Sequence, residues 1–141
     1  RRSSDLLFNR FFEPDFDINT MKVVPASVLS NPADLRNTLR WVGMANHLVP
    51  KIDISASTGV HDGDAMIKMI LAGASSVQVC SAIYKNGPQH IATMLNAMAD
   101  WMNKKGYKSI SDFKGLMNYG KIENPSHYER SQFMKYYSNY E

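Results

Sequence analysis

Short apolar runs alternate with longer stretches of helical period along this chain, the signature of consecutive βαβ units in a parallel sheet. Asp5-Leu6-Leu7-Phe8-Asn9 reads as a first short strand. The acidic, proline-containing stretch Glu13 to Asp17 follows, and Met21 to Leu29 is β-prone but interrupted by Pro25, which predicts a small hairpin excursion. A helix then starts sharply. Ser30 or Asn31 offers a capping oxygen, Pro32 suits the first turn, and Leu35, Leu39 and Val42 share one face as far as Asn46-His47.

Lys51 to Ser57 alternates Ile52, Ile54 and Ala56 with Asp53 and Ser55, then breaks at Thr58-Gly59, which predicts a second strand. The next helix, Asp62 to Ala72, is apolar over much of its girth and should pack against a sheet before Gly73 stops it. Ser75 to Ser81 is the expected third strand, with Val77 and Val79 turned inward. From Pro88, the residues Ile91, Met94, Leu95, Met98 and Met102 keep helical spacing to Gly106. Ser109-Ile110-Ser111-Asp112 resembles a helix start for a short piece ending at Gly115, and Asn124-Pro125 opens a tail rich in tyrosine and charge.

Three strand–helix units fall short of a closed (β/α)8 barrel, which takes about 250 residues. The chain is then either a small open sheet or part of something larger. A strand that begins after only a few residues, with no earlier element to pair it, favours the second expectation.

Composition narrows the function classes. The 141 residues are 44% hydrophobic and 21% charged, values of an ordinary globular domain, and exclude disorder and collagen-like architecture. Sixteen Lys and Arg against thirteen Asp and Glu leave a formal +3, and no internal basic run exceeds Lys104-Lys105, so nucleic acid is not an expected partner. The most membrane-like window, Ala65 to Ile83, carries Lys68 and Gln78 and is divided by Gly73; no membrane span is expected. The single cysteine, Cys80, excludes an internal disulfide and a cysteine-based zinc site. With no signal peptide visible at Arg1-Arg2-Ser3-Ser4-Asp5, a cytoplasmic location is the expectation. His47, His90 and His127 show no compact ligand spacing, so no metal is expected.

The strongest local constellation is Ser57-Thr58-Gly59-Val60, at the end of the second strand, and Cys80-Ser81-Ala82, at the end of the third. In a parallel sheet both lie at the carboxyl edge. Small residues there let main-chain N–H groups reach an anion, and two adjacent strand ends of this kind form a phosphate cradle. Ordinary turns in which small residues merely fit are the alternative. The Cys80 side chain, in an apolar strand without an acid–base partner nearby in sequence, reads as a small buried hydrophobe. His61-Asp62 reads as a solvated helix cap, and Trp41 and Trp101 read as packing anchors. The tyrosines of the tail suit a subunit interface or a domain-closing helix.

The string ISASTGVHDGDAMIKMILAGASSVQVCSAIYKNGP, Ile54 to Pro88, resembles the last two strands of the FMN-dependent dihydroorotate dehydrogenase barrel. WMNKKGYKSISDFKG, Trp101 to Gly115, is similar to the helix and turn that close it, while LLFNRFFEPDFD and VVPASVLSNPADLR look closer to the dihydroorotate dehydrogenase-like proteins. The resemblance implies that residues 1–141 are the C-terminal portion of a single FMN-binding barrel domain carrying its last three strand–helix units, with 117–141 as a helical tail. It also implies FMN phosphate at Ser57, Thr58, Gly59, Cys80 and Ser81, and a pyrimidine substrate at Asn9, whose amide both donates and accepts. The activity implied is oxidation of dihydroorotate, or a related dihydropyrimidine, with hydride passing to FMN. A catalytic base and a flavin-contacting lysine would lie in an earlier portion, so this chain alone would not turn over, and the expected partner is a second copy.

Two departures from the family pattern stand out. Ser30-Asn31-Pro32 replaces a Ser-Gly-Pro turn, which favours helix capping there over ligand contact, and Arg10 follows Asn9 where a small polar residue is usual. Two alternatives stay open: a non-redox phosphate-binding barrel enzyme that uses the same strand ends, and a non-catalytic half-barrel interaction module with the tyrosine-rich tail as its contact surface.

Overall fold

The computed structural model describes residues 4–7 and 13–129. Three strands, β1 (Ser4–Leu7), β4 (Asp53–Ala56) and β5 (Ser76–Val77), form a parallel sheet in the order β1-β4-β5, so chain order and spatial order coincide. Leu7 stands opposite Ala56, and Ala56 opposite Val77. Ser57 N–H donates to Leu7 O at 2.7 Å and Gln78 N–H to Ala56 O at 2.8 Å, carrying both ladders one residue past the strands.

Between β1 and β4 the chain makes an antiparallel hairpin, β2 (Pro14–Asp17) with β3 (Lys22–Pro25). The excursion predicted within Met21 to Leu29 starts earlier, and the acidic stretch supplies its first arm. Pro14 and Pro25 face each other at its open end, where a missing N–H costs the ladder least.

Asn31 then caps the entry to α1 (Leu35–Leu48): its Oδ1 accepts from Ala33 N–H at 2.8 Å while Asp34 Oδ2 accepts from Asn31 N–H at 2.9 Å. Asp62 does the same for α2 (Gly63–Ala72), accepting from Ala65 N–H at 2.8 Å, and Gly73, in the left-handed conformation, ends it. α2 is central to the core. Ala65, Met69 and Ala72 pack with Ile54, Ala56, Leu35 and Val42 over the sheet, whereas Ile67 and Ile70 meet Met98 and Phe113. Its apolar girth is thus divided between two clusters.

β5 is shorter than the Ser75-to-Ser81 run predicted. The chain leaves the sheet after Val77 and winds into α3 (Ser81–Asn86), an element that the sequence reading did not contain. α4 (His90–Lys105) follows, burying Met94 and Met98 but leaving Ile91 and Leu95 exposed. Trp101, Tyr107 and Phe113 form an aromatic cluster, with Phe113 edge-on to Trp101 at 5.0 Å between centroids. Trp41, by contrast, is exposed, with the Arg40 guanidinium 5.4 Å over its ring.

A turn at Ile110–Asp112 carries the predicted cap at Ser109, and another at Pro125–His127 starts from Asn124. The described part of the tail returns along α1: Tyr119 N–H donates to Gly43 O at 3.1 Å, and the Tyr128 ring occupies the space that a side chain on Gly43 would need. Among the described residues of the expected 117–141 helical tail, Pro125–His127 is the one helical turn; residues 130–141 lie outside the described set. No helix of the described residues is long and apolar enough to cross a membrane.

Candidate functional site

Parallel neighbours β4 and β5 point their carboxyl ends in one direction, which brings the two predicted segments together. Ser57, Thr58 and Gly59 from the first loop and Cys80 and Ser81 from the second line one cavity of about 220 Å³. Val28 and Ser30, leading into α1, form a third wall, and Val60 and Gln78 complete it. All five residues assigned to phosphate from the sequence therefore share one concave surface. Asn9, assigned to the substrate, lies outside the described residues.

The backbone of this loop is unusual. Thr58 has φ +81° and Gly59 φ +77°. A β-branched residue held there stores strain of about 1–3 kcal/mol. Gly59 also meets a packing need: a Cβ on it would overlap the backbone of Leu35 at the start of α1. The glycine thus lets the strand-end loop and the α1 terminus pack into one unit.

The donor set suits an anion. Ser57 N–H is committed to the sheet, but the amides of Gly59, Cys80 and Ser81 enter none of the main-chain hydrogen bonds of the described residues. The lining side chains are hydroxyl, amide, thiol or aliphatic, with no carboxylate among them. Cys80 corrects the sequence reading: it is exposed, not buried in a strand, because β5 ends before it and the residue sits in the loop that enters α3.

Ser30 is buried and pinned by three contacts, two from α3 and one from the loop that precedes α2. Its amide donates to Ser81 Oγ at 3.0 Å, Lys85 Nζ donates to its carbonyl at 3.3 Å, and its Oγ lies 3.0 Å from His61 Nε2. Capping falls to Asn31, as expected, yet the turn also supplies a cavity wall. His61 is half-buried instead of solvated. Its carbonyl accepts from His90 Nε2 at 2.8 Å, and burial together with the Lys85 ammonium holds the imidazole below its ordinary pKa of 6.5. Asp62 alone matches the capping expected of that pair.

No family model matches the chain. Over 72 residues it is 39% identical to a Streptococcus agalactiae serotype Ia protein named for dihydroorotate dehydrogenase A (fumarate), a match covering 51% of this chain and 23% of that relative. The dihydroorotate dehydrogenase A (fumarate) of Lactococcus lactis subsp. cremoris is 35% identical over 70 residues, 50% of this chain and 22% of its own. A solved DHODH structure from Eimeria tenella in complex with ferulenol superposes with a TM-score of 0.58 at 25% identity, over 62% of this chain and 23% of that one. The chain resembles the dihydroorotate dehydrogenases.

The matched part of the chain covers about a quarter of the length of these relatives. The α/β architecture, a parallel sheet with helices packed on it, is common to the chain and the dihydroorotate dehydrogenase structures. Around the loops after β4 and β5, the contacts among Ser30, His61 and Lys85 are what the sequence reading missed. No spacing rule links residues 31 and 55 positions apart; the hydroxyl–imidazole and ammonium–carbonyl contacts exist only once α1 docks beside both loops.

Proposed function

We propose that this chain is the C-terminal portion, the last three strand–helix units, of a (β/α)8 flavoenzyme that oxidises dihydroorotate or a related dihydropyrimidine in pyrimidine biosynthesis. One observation carries the reading: the two strand-end loops that the family resemblance assigns to FMN phosphate line a single cavity without a carboxylate, and three of their amides enter no main-chain hydrogen bond of the described residues. The likeness to dihydroorotate dehydrogenases in sequence and fold supports the reaction class.

The residues fit the terminal part of that cofactor. Amides of Gly59, Cys80 and Ser81 and the hydroxyls of Ser57, Thr58 and Ser81 are donors suited to phosphate oxygens, and Lys85 adds positive charge at the back of Ser30. A cavity of about 220 Å³ takes a phosphate with part of its polyol chain, leaving the ring system to the remainder of the barrel. When bound, FMN supplies the hydride-accepting chemistry. The protein's share is positioning: the loops after β4 and β5 anchor the anionic end, and Asn9 orients the pyrimidine by donating to a carbonyl and accepting from a ring N–H. The base that removes the ring proton belongs to residues outside this chain. A homodimer working in the cytoplasm completes the reading, on the family resemblance.

The test is cofactor release from the full-length protein that contains this chain. Heat denaturation should liberate FMN at about one per chain, and Ser81→Asp, which places a carboxylate in the cavity, should abolish retention while the fold persists. Release of a sugar phosphate, or of nothing that FMN can replace, would contradict the proposal.

A further inference from the structure

Ser30 presents a puzzle of hydrogen-bond direction. Its hydroxyl has one hydrogen, and two acceptors compete for it: the imidazole of His61, 3.0 Å away, and whatever anion enters the cavity that Ser30 lines. Where His61 Nε2 carries no hydrogen, Ser30 Oγ–H donates to it and turns lone pairs toward the cavity. Where Nε2 carries a hydrogen, the imidazole donates and the serine hydrogen is released toward the anion.

We propose that His61 is a positioning residue acting through Ser30, and that anion binding in this cavity is coupled to uptake of a solvent proton by the imidazole. The inference rests on the phosphate-binding reading above and adds a protonation partner to it. Imidazolium donates from both nitrogens, so the proton that enters at His61 fixes the donor direction of Ser30 and also adds positive charge behind the anion. The groups facing His61 are Lys85 of α3, His90 of α4, Asp34 before α1 and its neighbour Asp62. In the ligand-free protein, burial and Lys85 outweigh the Ser30 hydrogen bond and the two carboxylates and hold the imidazole pKa below its ordinary 6.5. A bound phosphate opposes the Lys85 field and raises the imidazole pKa. Affinity for the anion therefore increases as the pH falls through the bound-state value and levels off below the ligand-free value.

Two measurements on the full-length protein, stripped of ligand, test this. In the first, FMN dissociation constants are determined from pH 8.5 to pH 5.5 for the wild type and for His61→Gln, whose side-chain amide donates at any pH. The phosphate's own ionisation, near pH 6, is common to both and cancels in their ratio. The wild type should tighten relative to the variant by about tenfold across that range, the equivalent of about one pKa unit. Ser30→Ala, compared with Ser30→Ala/His61→Gln, should show a smaller pH dependence, the remainder coming from the imidazolium charge itself; an undiminished dependence would overturn the part played by Ser30.

The second measurement is the NMR titration of His61 with and without inorganic phosphate and FMN. A pKa rise with both ligands supports the relay. A rise with phosphate while FMN does not bind keeps the relay and overturns the flavin reading. FMN binding that leaves His61 unmoved, with parallel affinity profiles, overturns the relay and keeps the flavin. No response to either ligand overturns both.

Discussion

Gly59 and Leu35 share a space that has no room for a side chain: a Cβ on Gly59 would overlap the Leu35 backbone, and the glycine backbone is left-handed at φ +77°. The loop that leaves β4 and the first turn of α1 are thereby fixed against each other, beside the cavity that Ser30 and Gly59 both line. Gly59→Ala should lose about 2–4 kcal/mol of stability, because backbone strain and overlap act together. A urea unfolding curve of the full-length protein reads the loss, and FMN retention should fall with it.

The cap at Asp62 is separable from the cavity. Its Oδ1 accepts from Ala65 N–H, whereas the neighbouring His61 faces Ser30. Asp62→Ala should cost about 1 kcal/mol, and Asp62→Asn, which keeps an accepting oxygen, should recover most of it. Thermal or urea midpoints of the two variants make the comparison.

Phe113 is fully buried between Trp101, Tyr107 and the α2 residues Ile67 and Ile70. Truncation to alanine should cost about 3–5 kcal/mol, and replacement by leucine should cost less because it leaves a smaller void. The same unfolding curves decide it, with loss of near-ultraviolet circular dichroism marking the broken aromatic cluster.

Asp112 gives stability a dependence on acid. Its carboxylate accepts from the amides of Ser109 and Lys108 and from the Ser109 hydroxyl, which together hold its pKa below the ordinary 3.8. A depressed carboxylate stabilises the fold fully above the unfolded-state pKa and loses that contribution as the pH falls through the lower folded-state value. The stability gap between wild type and Asp112→Asn should therefore be open at pH 7 and close as the pH falls below 3.8 through the lower folded-state value. A gap of the same size at both pH values would assign the effect to the hydroxyl and amide geometry alone.

What the sequence revealed follows the range over which each signal acts. Asn31, Asp62 and Ser109 were legible as caps because a cap is a local bond between residues two or three positions apart. Ser57, Thr58, Gly59, Cys80 and Ser81 were legible as a group because a parallel sheet brings the ends of neighbouring strands to one edge. The extent of β5 was not, since Val77 and Val79 alternate as in a strand but the ladder with β4 ends after Gln78 N–H reaches Ala56 O. That shortfall hid α3, whose six residues are too few to show a helical period, and placed Cys80 in a strand when it stands exposed in a loop. The Ser30–His61 contact lay beyond any local rule.

The most direct test of the proposed chemistry is an anaerobic flavin spectrum of the full-length protein before and after dihydroorotate is added. The flavin absorbance should bleach as hydride leaves the substrate, and Asn9→Ala should slow or weaken the bleaching. A yellow protein that ignores dihydroorotate would keep the FMN cradle and contradict the substrate, sending the search to other dihydropyrimidines. A colourless protein that FMN cannot reconstitute would contradict the flavoenzyme itself.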